Sequence, residues 1–399
     1  MTPLSVPSAI DILVVGAGPT GLAAATLLQR RGLAPLVVDR LPQGENTSRA
    51  AVIHAHTLEV LERIGVTGRL TSAGLRLAKF SIRDRDRVLT QLSFSQLPSR
   101  YPYLLMLPQD RTEAILTEAL MGAGGAVHRA HTVEALEQGP DGVKVRLATP
   151  GGPQIVTARY VIGADGMRSV VRASTGIGFT GSAYEESFVL ADVDLLWDHG
   201  RDEVKLFFSP AGLVVVAPLP EPDRFRIVAT MDEAPEHPDA ADIQRLLEAR
   251  GPTQGVGRVA QVHWSSRFRL HHRVADRYRE GRLFLVGDAA HVHSPAGGQG
   301  MNTGLVDACV LGGLLADVLT GLRDAASLDQ YEELRRPAAQ KVLGLAGRLT
   351  HMATMRAAPA RAIRNLALGL FGHLPTFRTG LEMDLSGLSR RRAAELQGA

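Results

Sequence analysis

The strongest constraint on this chain lies in its first forty residues. Ile10-Asp-Ile-Leu-Val-Val15 has strand character and runs straight into Gly16-Ala-Gly-Pro-Thr-Gly21, then into a helix rich in alanine and leucine. Glycine at these positions permits a tight turn and leaves backbone open to a ligand that a side chain would block. The helix that follows offers unpaired N–H groups and the positive end of its dipole, a seat for phosphate. Asp39 closes the next strand, Leu36 to Val38, about 20 residues past the glycines, where a carboxylate meets the ribose hydroxyls of an adenosine. A bare glycine triplet is weak evidence. Strand, loop, helix and acid together form a dinucleotide fingerprint.

The same junction recurs late in the chain. Leu283 to Val286 reads as a short buried strand with Gly287 behind it, and a loop with Gly297, Gly298 and Gly300 opens a helix. That helix carries Leu305, Cys309, Gly312, Ala316 and Leu319 on one face. Its N-terminus favours an anion or an electron-rich ring edge.

Composition bounds the remaining choices. At about 100–200 residues per domain, 399 residues leave room for two or three. Hydrophobic content of 45% with 21% charged residues excludes a disordered chain. No apolar run approaches the roughly 18 residues of a membrane span, and Met1 to Ser8 lacks the pattern of a secretory signal, so a cytoplasmic location is expected. The lone cysteine, Cys309, rules out an internal disulfide framework and reads as a small core residue. A net charge of +3, with arginines scattered through the chain, argues against a nucleic-acid partner. Arg390, Arg391 and Arg392 read as a solvated basic end.

Between the two glycine loops the pattern changes. A polar loop, Pro42 to Ser48, precedes Arg49-Ala-Ala-Val-Ile-His-Ala-His56 and a helix with Leu58, Leu61 and Ile64, stopped at Gly65. Lys79 to Arg83 alternates as a strand, Asp110 to Leu120 is helical, and Val127 to Leu147 holds strands around Gly139-Pro-Asp-Gly142. Arg159 to Ile162 is a buried strand ending in the turn signal Asp165-Gly166, where Arg168 and Arg172 bring positive charge to the sheet edge. Leu190 to Leu196, Val204 to Phe208, Leu213 to Ala217 and Phe225 to Thr230 follow without crossover helices and predict an antiparallel sheet. Beyond Leu319 the chain is helical, with a break or kink expected at Pro337.

The fold class expected is α/β: a Rossmann-like domain with a central parallel sheet, an inserted antiparallel-sheet domain and C-terminal helices. The first is discontinuous, from residues 1–75, 105–185 and 275–320. The second takes residues 76–104 and 186–274, and the helical region 321–399.

Three motifs in order carry a resemblance. Gly16-x-Gly-x-x-Gly21, Gly163-Ala-Asp-Gly-x-x-Ser-x-Val-Arg172 and Gly287-Asp-Ala-Ala-His-x-x-x-Pro-x-Gly-Gly-Gln-Gly-x-Asn302 resemble the signatures of the single-component FAD-dependent aromatic hydroxylases. This class is similar to para-hydroxybenzoate hydroxylase and the polyketide-tailoring hydroxylases, and the likeness covers residues 10 to 320. It implies FAD as cofactor, with Gly16, Gly18 and Gly21 at the pyrophosphate and Asp39 beside Arg40 at the adenosine ribose. It further implies Arg49 near the flavin, Gln109 near the ribityl chain and Asp288 on the ribityl hydroxyls. Gly300, Met301 and Asn302 would present backbone N–H groups to the flavin pyrimidine edge, with Pro295 beside the substrate. Asp165, Gly287 and Gly298 complete the implied cofactor set. Relatives commonly continue with glutamine, asparagine, tryptophan and lysine where this chain has Val306, Val310, Gly313 and Leu314.

The chemistry implied is hydroxylation of an aromatic, phenolic or polycyclic compound, with NAD(P)H as electron donor and molecular oxygen as co-substrate. Reduced flavin carries negative charge at N1 and the C2 oxygen, for which the helix N-terminus at Gly300 to Thr303 is a preorganised donor set. Its C4a-hydroperoxide needs a water-poor cavity, with Leu206, Phe208, Val214 and Val216 as candidate wall residues. His54 with His56 and His291 with His293 have a spacing that suggests metal, but no acid or cysteine cluster joins them, and none is expected. No general base for a phenol is identifiable. A flavin halogenase or reductase on the same fold is the competing enzyme reading. With only Trp197 and Trp264, the chain lacks a halogenase Trp-x-Trp-x-Ile-Pro segment. A flavoprotein that merely sequesters a hydrophobic ligand is the non-enzyme alternative. One fingerprint must serve two dinucleotides, so the nicotinamide is expected to dock transiently. A monomer or homodimer is expected.

Overall fold

The computed structural model describes residues 6–44, 50–231, 235–355 and 357–396. Strand Ala9–Val15 lies inside a sheet, parallel to Gly152–Gly163 on one side and to Leu36–Asp39 on the other. Leu283–Leu285 and Val127–Arg129 extend that sheet, again in parallel. Parallel strands are covered on both faces, which is why these segments read as nearly unbroken apolar runs. Leu13, Val14, Val37 and Val38 are completely buried. The first half of Gly152–Gly163 pairs instead with Gly142–Thr149, which forms a hairpin with Thr132–Gly139.

Helices Pro19–Arg30 and Gln299–Leu319 pack against each other in this core. The second is 21 residues long and has the length and composition of a membrane span, contrary to the expectation that no such run exists. Most of it is buried, with Leu305, Ala308, Cys309, Leu311 and Leu315 fully enclosed. It is the central helix of the α/β unit.

The second sheet has eight strands. Their order is His291–Val292, Arg258–Ala275, Phe179–Leu196, Arg224–Met231, Gly212–Pro218, Glu203–Ser209, Lys79–Asp84, Arg87–Ser93. Neighbours are antiparallel except Glu203–Ser209 with Lys79–Asp84, which run parallel. Alternation gives the sheet two apolar faces. Phe207, Val214, Val216, Phe225 and Ile227 lie under helix Ala240–Arg250, packed on Ile243, Leu246 and Leu247. Leu206, Phe208, Leu213, Val215 and Val228 line a cavity on the opposite face. Val214 and Val216 are therefore not wall residues as expected. Leu206 pairs with Val215 and Phe208 with Leu213, and a side-chain period of 2 turns the intervening residues away.

Three other expectations change. Helix Gln330–Thr354 runs through Pro337 without a break, its Ala338, Ala339, Val342 and Ala346 buried. Packing outweighs the roughly 3 kcal/mol that an interior proline costs. Helices Ala358–Phe371 and Pro375–Leu385 follow, then a 3₁₀ turn, Leu388–Ala394. That turn contains the supposed solvated end. Arg390 donates to the Asp384 carbonyl and to Gln299 Oε1, and Arg391 to Glu59 and the Pro98 carbonyl, leaving only Arg392 of the three exposed. Arg172 is likewise committed, donating to the carbonyls of Ala289 and Met167 at 2.7 Å each, with its guanidinium over the Phe179 ring.

Candidate active site

The first glycine loop divides its labour. A Cβ on Gly16 would run into the Ala164 carbonyl and one on Gly21 into the Gly16 carbonyl, whereas one on Gly18 would meet nothing within 4 Å. Gly16 and Gly21 thus close the turn, and Gly18 leaves room on the cavity side, which Gly16 also borders. Helix Pro19–Arg30 starts there with no side-chain cap, so its first N–H groups are left for a ligand. Asp39 accepts the N–H groups of Ala17 at 2.7 Å and Leu41 at 2.8 Å, with Arg129 Nη1 3.7 Å from its Oδ2. Arg129 carries no local sequence signal. Strand pairing sets it opposite Asp39. Arg40 and Gln109 also border the cavity, Gln109 donating to Glu113 and accepting the Ala50 N–H at 3.2 Å.

At the second loop, Gly297 and Gly298 have φ of +83° and +63°, in the left-handed region, and a Cβ on Gly298 would strike Val52. Gly298 is the N-cap of helix Gln299–Leu319, which has no side-chain cap. Pro295, Gly298, Gly300 and Met301 border the cavity. The Asn302 side chain turns the other way, accepting the His54 N–H at 2.8 Å and donating to the carbonyls of Val52 and Gly298. It ties the helix start to strand Val52–Ile53. Gly287 packs against Thr20 on the fingerprint helix and does not border the cavity. Asp288 does, and is exposed. Asp165 borders it too while accepting the N–H groups of Val170 and Val171, and burial pushes its carboxyl up. Arg49 lies outside the described residues.

Two histidines border the glycine turn. Burial, reinforced by the Arg390 charge, lowers His54 to about 3, and burial lowers His293 to about 4 despite its hydrogen bond to the Ser294 carbonyl. Both rings are neutral near pH 7. Behind them His291 stacks on His293 and meets the buried Asp307, which also accepts from Arg335. Burial alone would raise the Asp307 carboxyl, but Arg335 and His291 outweigh it and hold it below the usual carboxylate range. Among the described residues no cluster with metal-ligand character occurs.

Both loops open on one cavity of about 1860 Å³. A single small-molecule pocket takes roughly 300–1,000 Å³, so this volume suits a dinucleotide together with a second molecule. Beyond the glycine turn the walls are the apolar sheet face and the ends of the C-terminal helices, including Leu349, Phe377 and Leu381. Arg226 is the charged exception on the sheet face, paired with both oxygens of Asp192.

A cavity bordered by two glycine turns, with the Asp39 edge at one end and an apolar chamber at the other, fits a flavin-dinucleotide oxidoreductase fold. The sequence matches the FAD binding domain family over residues 9–346, and the chain belongs to that family. It is 38% identical over 357 residues to the 6-methylpretetramide 4-monooxygenase of Streptomyces rimosus, covering 88% of this chain and 63% of that protein. Pentachlorophenol 4-monooxygenase of Sphingobium chlorophenolicum is 36% identical over 344 residues, covering 83% and 63%. This chain thus spans less than two thirds of the length of these two relatives. Among solved structures, p-nitrophenol 4-monooxygenase of Pseudomonas putida DLL-E4 superposes with a TM-score of 0.87 at 25% identity, covering 96% of this chain and 99% of that one. The residues present fit FAD, because Gly18 leaves open the space a side chain would fill and the glycine turn exposes an uncapped helix start.

Proposed function

We propose that the protein is an FAD-dependent monooxygenase that hydroxylates an aromatic small molecule, with NAD(P)H as electron donor. The observation that carries this reading is the single cavity leading from Gly18 and Asp39, past Gly298 to Met301, to an apolar wall formed by Leu206, Phe208 and Val215. Bound FAD supplies electron transfer from the nicotinamide and activation of molecular oxygen. The chain's own groups do the rest. Gly18 and the N-terminus of helix Pro19–Arg30 hold the pyrophosphate, Asp39 the ribose, and Asp288 the ribityl hydroxyls. Backbone N–H groups of the uncapped helix at Gly300 stabilise negative charge on the ring edge. The apolar sheet face keeps water from the reacting atoms and stacks a flat, poorly soluble ring system.

Purified protein should be yellow. A screen of phenols and polycyclic arenes should find compounds that stimulate NAD(P)H oxidation and leave as products heavier by one oxygen atom. A protein that binds FAD but transfers oxygen to none of them, and releases only peroxide, would leave the sequestering reading in its place.

A further inference from the structure

Next to the main cavity lies a cleft of about 560 Å³ between helix Gln330–Thr354 and the C-terminal turn Leu388–Ala394. Three cations line it, Lys341, Arg348 and Arg390, with a single carboxylate, Asp384. The hydrogen bonds of the Arg390 side chain go to neutral acceptors, the Asp384 backbone carbonyl at 3.2 Å and the Gln299 amide oxygen at 2.7 Å. Among the described residues none of the three cations forms an ion pair. Lys341 and Arg348 are exposed, but Arg390 is largely enclosed, and burial lowers it to about 10. Asp384 acts on the Arg390 guanidinium electrostatically without contacting it as an ion pair, so one carboxylate faces three cations, and proteins normally pair enclosed charges directly. A second negative charge would complete this site.

We infer that the cleft binds an oxyanion, held by Lys341, Arg348 and Arg390. Guanidinium forks suit phosphate and carboxylate oxygens, and the lysine adds a point charge. The cleft shares Leu345, Arg348 and Asp384 with the main cavity, and Arg390 touches the first residue of the glycine-turn helix. An anion here lies within reach of a molecule bound at the main site. Two sources carry that chemistry, the diphosphate of the nicotinamide donor and an acidic group on the aromatic substrate. Only this choice of source rests on the proposed function.

The test is calorimetric titration of the holoenzyme with inorganic pyrophosphate, beside the double variant Lys341→Gln/Arg348→Gln. Both positions are exposed, and circular dichroism with the flavin spectrum checks the fold. Wild type should bind saturably and more weakly as salt rises, and the double variant at least about tenfold more weakly, equivalent to roughly 1.4 kcal/mol. A higher KM for NADPH alone in the variant identifies the donor diphosphate, and a higher KM for the arene alone identifies an acidic substrate. No saturable binding by wild type, or a variant Kd within about twofold of it, overturns the site. If no arene drives NADPH oxidation, the proposed function fails while the pyrophosphate titration still reports on the cleft.

Discussion

Arg335 Nε donates to Asp307 Oδ1 at 2.7 Å inside the core, joining helix Gln330–Thr354 to the middle of helix Gln299–Leu319. The other carboxylate oxygen lies 2.6 Å from His291 Nε2 and 3.4 Å from the Gly287 N–H. One buried acid thus connects both helices to the Gly287 turn. Asp307→Asn leaves the Arg335 charge buried without its counter-charge, which should cost about 3–5 kcal/mol. Urea unfolding of the two proteins measures it, and a loss below about 1 kcal/mol would show that the pair is dispensable.

The fingerprint glycines should separate folding from binding. Gly18→Val should leave the thermal stability of the FAD-free protein nearly unchanged, because a Cβ there meets no protein atom within 4 Å, but should abolish the yellow colour. Gly16→Val should unfold the protein even without FAD, since its side chain meets the Ala164 carbonyl at a φ of +102°. Normal FAD content in folded Gly18→Val would remove the pyrophosphate assignment.

The two faces of the second sheet make opposite predictions. Ile227 is completely buried under helix Ala240–Arg250, so Ile227→Ala should cost about 2–5 kcal/mol while KM for the arene stays the same. Leu206→Ala, on the cavity face, should do the reverse, raising KM and the fraction of NAD(P)H consumed without product. Steady-state kinetics with product quantification, together with denaturation curves, decides the assignment. Equal effects at both positions would contradict the alternation.

Acid should destabilise the protein in two steps. Burial holds His54 at about 3 and His293 at about 4 in the folded protein, below the ordinary imidazole value of about 6.5. The unfolded chain therefore binds more protons as pH falls below about 6.5, and each neutral ring loses about 2 kcal/mol of stability by pH 5. Asp307, held below its usual range, adds a second loss at lower pH. Its contribution is present above about 4 and disappears as pH falls through its folded value. Urea midpoints at pH 7 and pH 5 for wild type and His54→Gln measure the first step. The variant should show a shallower decline, and parallel declines would show that His54 is not held neutral.

Local pattern made much of the site legible. The Gly16 to Gly21 turn, Asp39 and the Gly297 to Gly300 turn are each encoded within a few residues, because backbone sterics and helix N-termini are local physics. Leu206 and Phe208 could also be read as cavity wall, but the same strands could not show which of their faces met the cavity. Val214 and Val216 are as apolar as the true wall residues Leu213 and Val215. Only the register against Glu203–Ser209 and the helix covering the far face separate them.

What the sequence alone determined was the fold class and the two glycine turns, since turn conformation and apolar period belong to short segments. Tertiary structure alone decided the partners of charged groups. Arg390 folds back onto Gln299, Arg172 onto two loop carbonyls, Arg129 beside Asp39, and Arg335 onto Asp307 across 28 positions of sequence. A charge has no period to read, and in water it is satisfied almost anywhere. Burial removes that freedom, and which residue then meets it depends on how distant strands and helices pack.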